Sequence, residues 1–286
     1  GTGLFALDAI ETFNFLCIPP LARDTDVGAS TLLVANRYCR ERRALLFVDP
    51  PAAWDSAGRA LAEMRNWPLP SDTACMYFPR LLAYDKLRGH FEAFAPCGAV
   101  AGALSRAADS MPVWSAATGE DTALRPGLRP MCAVDDNYRA RLVACGVNTV
   151  QTVRRPGREV PIACTMAGPG AGAVDWRMLP ARRLAFLIIS SIERGTRWML
   201  FEPNEPPTWR RAAAQVRAFL GSLEERGAFA HREPGDRWFV LCNERVNRES
   251  HRERGIVNIL FGFTAARSGE FHAYMVSHRA GGSRAQ

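Results

Sequence analysis

Lysine is nearly absent from this chain: of its 36 basic residues only Lys86 is a lysine, so positive charge is carried almost wholly by arginine. No run of 18 or more apolar residues occurs, so no transmembrane helix is expected. The opening Gly1-Thr2-Gly3-Leu4-Phe5 has neither the basic flank nor the long apolar stretch of a signal peptide, and none is expected. The eight cysteines contain no Cys-x-x-Cys pair, and the nearest two, Cys132 and Cys145, enclose no histidine. Structural zinc is therefore not expected; the thiols read as small buried apolar groups in a reducing compartment. A Gly-x-Ser-x-Gly or Gly-Thr-Ser turn is also missing, and the histidines at 90, 231, 251, 272 and 278 lie in polar or late segments. No hydrolytic triad is expected.

What is present is enough apolar sequence for a large core. The 286 residues are 48% hydrophobic, which permits two domains of ordinary size, and the net charge is +7. Arginine pairs in planar, multidentate fashion with carboxylate or phosphate, so an acidic protein surface and a nucleic acid both fit the charge.

Short apolar strands alternate with helical stretches, the pattern of an α/β domain with a partly parallel sheet. Strands are expected over 13–18, 44–48 and 74–78, and helices over 30–43 and 55–66. The 30–43 helix should turn Leu32, Leu33, Ala35, Tyr38 and Cys39 inward. Pro96 opens a helix whose Gly98 and Gly102 mark close backbone packing. A proline- and glycine-rich stretch over 110–130 separates domain 1–133 from domain 134–286.

In the second domain a helix is expected over 135–145, strands over 147–153 and 160–165, and an apolar helix over 180–193. Further strands are expected at 197–201, 238–242, 256–263 and 271–277, with an amphipathic helix over 209–226 and a frayed tail from 279. Gly168-Pro169-Gly170-Ala171-Gly172 is followed by Ala173-Val174-Asp175-Trp176 rather than a helix with a Lys-Ser/Thr pair, so it reads as a surface turn. Asp135-Asp136 and Glu224-Glu225 lack metal-site spacing and read as a helix start and a solvated helix face. No metal, cofactor or catalytic residue is assigned.

The run Ser191-Ile192-Glu193-Arg194-Gly195-Thr196-Arg197-Trp198-Met199-Leu200-Phe201-Glu202-Pro203-Asn204-Glu205, followed by Trp209, resembles the most recognisable stretch of the contractile tail sheath family. Ala6-Leu7-Asp8, Phe13-Asn14, Glu41-Arg42-Arg43-Ala44, Val48-Asp49-Pro50-Pro51, Tyr77-Phe78-Pro79-Arg80, Gly98 to Gly102 and Gly146-Val147-Asn148 keep that family's order. The chain departs from it at Ile162-Ala163-Cys164-Thr165-Met166, where the family has Trp-Gly-Ala-Arg-Thr. The resemblance, over residues 1–277, implies a subtilisin-like α/β domain followed by an α+β sheath C-terminal domain. Sheath subunits usually carry an arm and outward-facing domains ahead of the matching segment, so these residues are expected to be part of a longer product.

The family's function would make this a non-enzymatic structural subunit that polymerises in stacked rings around an inner tail tube and contracts to drive the tube through a target envelope. Its partners would be other sheath subunits, the tube protein, and baseplate and tail terminator proteins, with no membrane, no direct nucleic acid and no cofactor. It would sit in a virion tail, assembled in the bacterial cytoplasm, or in a bacteriocin or extracellular injection particle. By the same resemblance, Arg245, Arg248, Arg252 and Arg254 are candidates for contact with an acidic tube. Phe271, His272, Ala273, Tyr274, Met275 and Val276 either close the chain's own sheet or add a strand to a neighbour's. A basic nucleic-acid-binding protein is a rival, though aromatic-basic interleaving is lacking. A small-molecule α/β enzyme is another, and would need a polar pocket at the strand ends.

Overall fold

Short apolar runs bounded by proline and glycine set the first sheet. Strand β1 (Phe15–Cys17) leads to helix α1 (Ala29–Arg42), β2 (Leu45–Val48), α2 (Ala57–Met64) and β3 (Ala74–Phe78). The computed structural model describes residues 2–115, 122–150, 163–167, 174–229, 236–265, 270–279 and 282–285. The chain forms two compact units, Gly1–Pro180 and Ala181–Gln286.

Spacing explains α1. Leu32, Ala35, Asn36 and Cys39 recur at helical intervals and are buried, whereas Leu33, expected inward, lies off that stripe and is half exposed. The one polar member is satisfied: Ser71 Oγ and Thr73 Oγ1 donate to Asn36 Oδ1 at 2.7 and 2.8 Å. Tyr38 is also buried, and its hydroxyl donates to Asp8 at 2.7 Å.

After β3 come an antiparallel hairpin, β4 (Leu81–Asp85) and β5 (His90–Phe94), then α3 (Cys97–Ser110) and β6 (Arg129–Pro130), which pairs with β4. This three-stranded sheet was not foreseen. Helix α3 packs on β1, β2 and β3. Helix α4 (Asp136–Ala144) starts where Asp135 accepts from the Tyr138 N–H at 2.7 Å, and strand β7 (Val147–Thr149) follows.

Strands β1, β2, β3 and β7 form a parallel sheet in that order. The α/β expectation, with a partly parallel sheet, therefore holds. The division of the chain falls at 180/181 rather than 133/134, because β3 is completed by later residues. Strand β7 covers its edge, Val150 N–H donates to Phe78 O at 2.7 Å, and Met166 N–H to Ala74 O at 2.8 Å. Gly146 permits this: its φ is +86°, and a Cβ there would lie 2.9 Å from the Met166 Cα. The close packing expected at Gly98 and Gly102 is absent among the described residues, since a Cβ on either meets nothing within 4 Å.

Helix α5 (Leu179–Gly195) begins in the last two residues of the first unit and runs into the second. The strand expected at 197–201 is instead the 3-10 turn Arg197–Phe201, which continues α5 through Thr196. Helix α6 (Pro206–Glu225) buries Trp209, Ala212, Ala213, Val216, Leu220 and Leu223 on one face and packs on β8 (Trp238–Leu241). A short helix, α7 (Glu249–Arg252), precedes β9 (Ile256–Thr264), β10 (Phe271–Arg279) and β11 (Gly282–Ala285). Strands β8 to β11 form one antiparallel sheet, and the tail expected to fray is its edge strand. Each fully buried large apolar side chain is worth about 1.5–3 kcal/mol, whereas an exposed arginine pair is worth about 0–1. The apolar faces of α6 and β9 hold this unit, not its charges. Residues 151–153, the first half of the strand expected over 160–165, the 168–172 turn and His231 lie outside the described residues.

Candidate functional site

The arginine segment sits between β8 and β9, and asparagines hold it. Arg245 N–H donates to Asn243 Oδ1 at 3.0 Å, and Asn247 N–H to Asn243 O at 2.9 Å, which closes a turn. Asn247 is buried. Its Nδ2 donates to Asn258 O at 3.0 Å, while Asn258 N–H donates back to Asn247 Oδ1 at 2.6 Å. Asn258 Nδ2 donates to Val246 O at 2.9 Å, and Ser277 Oγ donates to Asn258 Oδ1 at 2.7 Å, so the turn is bound to β9 and β10 together.

The four candidate arginines divide. Arg245, Arg248 and Arg254 are exposed and form no ion pair among the described residues. Arg252 is committed internally: its Nε donates to Asn204 O at 3.1 Å, its Nη1 meets Glu249 at 3.0 Å, and its guanidinium lies 5.8 Å from the Trp209 ring centroid. Asn204 is itself fixed, accepting from Trp209 Nε1 at 2.8 Å and donating to Ile256 O at 2.9 Å. The 191–205 stretch and Trp209 are thus the anchor of the arginine segment, a role that no local pattern in the sequence announces. Glu249 and Glu253 accompany the four arginines, so the segment is only moderately basic.

Other residues of that stretch are also spent on structure. Thr196 Oγ1 donates to Ile192 O at 2.6 Å and lies 2.7 Å from His278 Nε2. Burial, with Arg197 nearby, holds the buried His278 down to about 4, so it is neutral at neutral pH. Trp198 Nε1 donates to Gln215 at 2.8 Å, and Arg211 lies over its ring at 4.1 Å while pairing with Glu202. Phe201, beside them, is almost wholly exposed. Glu224 is no solvated face residue: Trp238 Nε1 and Arg237 Nη1 donate to it at 2.7 and 3.1 Å.

Phe271 to Val276 form the first two thirds of β10 and pair with Thr264 to Ile259 of β9. The chain's own sheet therefore takes this segment. Strand β11 pairs with β10 on its other side from Val276 to Arg279. In β8 and β9, Phe239 stands opposite Gly262, where a Cβ would lie 2.4 Å from the Phe239 ring. The ring crosses the strand there and meets Phe271 at 6.0 Å.

In the first unit, a cavity of about 170 Å³ is lined by Ile18, Val27, Leu32, Phe47, Asp49 and Arg80 among others. Arg80 is buried and committed, donating to Pro50 O at 3.0 Å, Arg23 O at 2.7 Å and Asp26 Oδ1 at 2.7 Å. A second, about 320 Å³, lies along α3 at Gly98, Gly102 and Arg106 beside Leu124 and Leu128. No helix among the described residues is long and apolar enough to cross a membrane.

No family model matches this sequence, and no curated protein matches it. Solved structures do. A chain of the PVC sheath complex of an extracellular contractile injection system, in its contracted state, superposes with a TM-score of 0.67 at 24% identity, covering 83% of this chain and 64% of that one. A chain of the six-fold symmetrised anti-feeding prophage baseplate superposes with a TM-score of 0.70 at 20% identity, covering 91% of this chain and 67% of that one. The chain thus spans about two thirds of the length of each neighbour and has the fold found in these two contractile assemblies.

Proposed function

We propose that this chain is the core of a contractile sheath subunit, mechanical rather than catalytic, that assembles in stacked rings around an inner tube. The observation that supports this most is the likeness to the PVC sheath and AFP baseplate chains, which extends over 83% and 91% of the chain and so takes in residues of both units. The run from Ser191 to Glu205 adds a second, independent support. Arg245, Arg248 and Arg254 are the tube-facing cations of this reading, and Arg252 is their structural support. Exposed pairs of about 0–1 kcal/mol each suit a contact that must break on contraction, and many of them along a tube still fix register. A neighbour's strand added beside β10 would tether subunits while rigid units rotate. Other copies, the tube protein, baseplate and terminator proteins are the partners; no cofactor or membrane is needed, and the energy is stored in subunit packing.

The baseplate likeness favours a second reading, a ring component at the base of the same particle. One experiment separates them. The purified chain is mixed with the tube protein of its particle and imaged by negative-stain microscopy. Sheath subunits form long helical tubes and a baseplate component stops at one ring; a chain that stays monomeric in the presence of the tube sinks both.

A further inference from the structure

The thiols of this chain are not all inert. Cys17 ends β1, in register with Phe47 of β2, and so shares the sheet face of Phe47 and Asp49. Helix α3 packs on β1 and β2, and its first residue is Cys97. The Cys97 N–H donates to Asp49 Oδ1 at 2.8 Å, which pins the helix start over that face. The side chains of Cys17 and Cys97 thus come together on that face, beside the Asp49 carboxylate.

We propose that Cys17 and Cys97 are a disulfide-forming pair that staples the strand β1 to α3 when the protein meets an oxidising, low-molecular-weight disulfide. The inference stands apart from the sheath reading. The Cys17 thiolate attacks one sulfur of the reagent, forming a mixed disulfide and releasing one thiolate. Cys97 gives up its proton to solvent by way of the Asp49 carboxylate and attacks Cys17 Sγ, forming the Cys17–Cys97 bond and releasing the second thiolate. Two protein thiols are oxidised and one disulfide is reduced to two thiols.

The order of attack follows from surroundings. Cys17 is only partly buried, and the hydrogen bond from Cys97 holds its thiol below the usual range; that same bond, burial and Asp49 push Cys97 up. Cys39, Cys164 and Cys242 are buried thiols pushed up to about 12, chiefly by burial, and do not compete. Strand β1 lies at an end of the sheet and pairs only with β2 among the described residues, so it is the strand with most to gain from a covalent tie.

The reduced, folded chain is incubated with oxidised glutathione, alkylated, and mapped as peptides without reduction. The expected result is a cross-link joining the Cys17 and Cys97 peptides, absent in Cys17→Ser, with the other cysteines alkylated. The thermal midpoint of the oxidised protein should rise by roughly 5–15 °C and fall back on reduction. Both thiols remaining alkylated in folded protein, a glutathione adduct that stays on Cys17, or a cross-link without a rise in midpoint overturns the proposal.

Discussion

Asn247 and Asn258 bond each other through side chain and backbone in both directions: Asn258 N–H donates to Asn247 Oδ1 at 2.6 Å, and Asn247 Nδ2 to Asn258 O at 3.0 Å. One amide thus does for the arginine turn what a strand does for its neighbour. Asn247→Ala leaves a buried donor and acceptor of β9 unmet, at about 1–3 kcal/mol for each group stranded. Urea unfolding should show a loss of about 2–4 kcal/mol. A variant within experimental error of the wild type would mean that water replaces the side chain at no cost.

Arg80 is a strut rather than a surface charge. Its guanidinium serves Pro50 O, Arg23 O and the Asp26 carboxylate, which together bind residues 23–26 to the end of β2. Arg80→Met keeps the bulk and strands all three acceptors, so a loss of about 2–4 kcal/mol is expected, with faster amide exchange around residues 23–26. Arg80→Lys should not rescue it, because a single ammonium cannot reproduce the planar fork. Full rescue by lysine would show that charge alone holds the loop.

The parts of the fold that were legible are those whose pattern is local. The 74–78 strand lies where the sequence places it, and α1, α5 and α6 are offset from their expected ends by only a few residues, because apolar spacing and caps act within a few turns. Two things were not legible. The 197–201 run has the aromatic and aliphatic bulk of a strand, yet the backbone winds on from α5, and Trp198 finds Gln215 two turns into α6 instead of a strand partner. The site suffered in the same way: four arginines in ten residues look alike in sequence, and only the fold brings Asn204 and Trp209 to one of them.

His278 gives the second unit a pH dependence. Its folded value, about 4, lies below the usual 6.5, so the unfolded chain takes up the proton more readily. The stability is therefore complete above pH 6.5 and declines as pH falls toward 4, by about 3 kcal/mol at most. Denaturant midpoints between pH 7 and pH 4.5 should fall more steeply in wild type than in His278→Gln, whose amide can still reach Thr196. Parallel slopes would place the titration elsewhere.

Arg245, Arg248 and Arg254 should separate from Arg252 in their effects. The three are exposed and unpaired among the described residues, so reversing them together to glutamate changes folding stability by no more than about 0.5 kcal/mol each. Arg252→Ala, by contrast, strips Asn204 O and the Trp209 face of a partner and should cost about 1–2 kcal/mol in thermal or urea unfolding. Assembly reads the other way. If the exposed three meet an acidic tube, the triple reversal abolishes tube-dependent polymerisation while leaving the melt intact, and added salt weakens wild-type assembly because such contacts are screened within about 10 Å. A triple variant that still polymerises on the tube at low salt would detach the arginine segment from that surface and leave its asparagine frame as a purely structural turn.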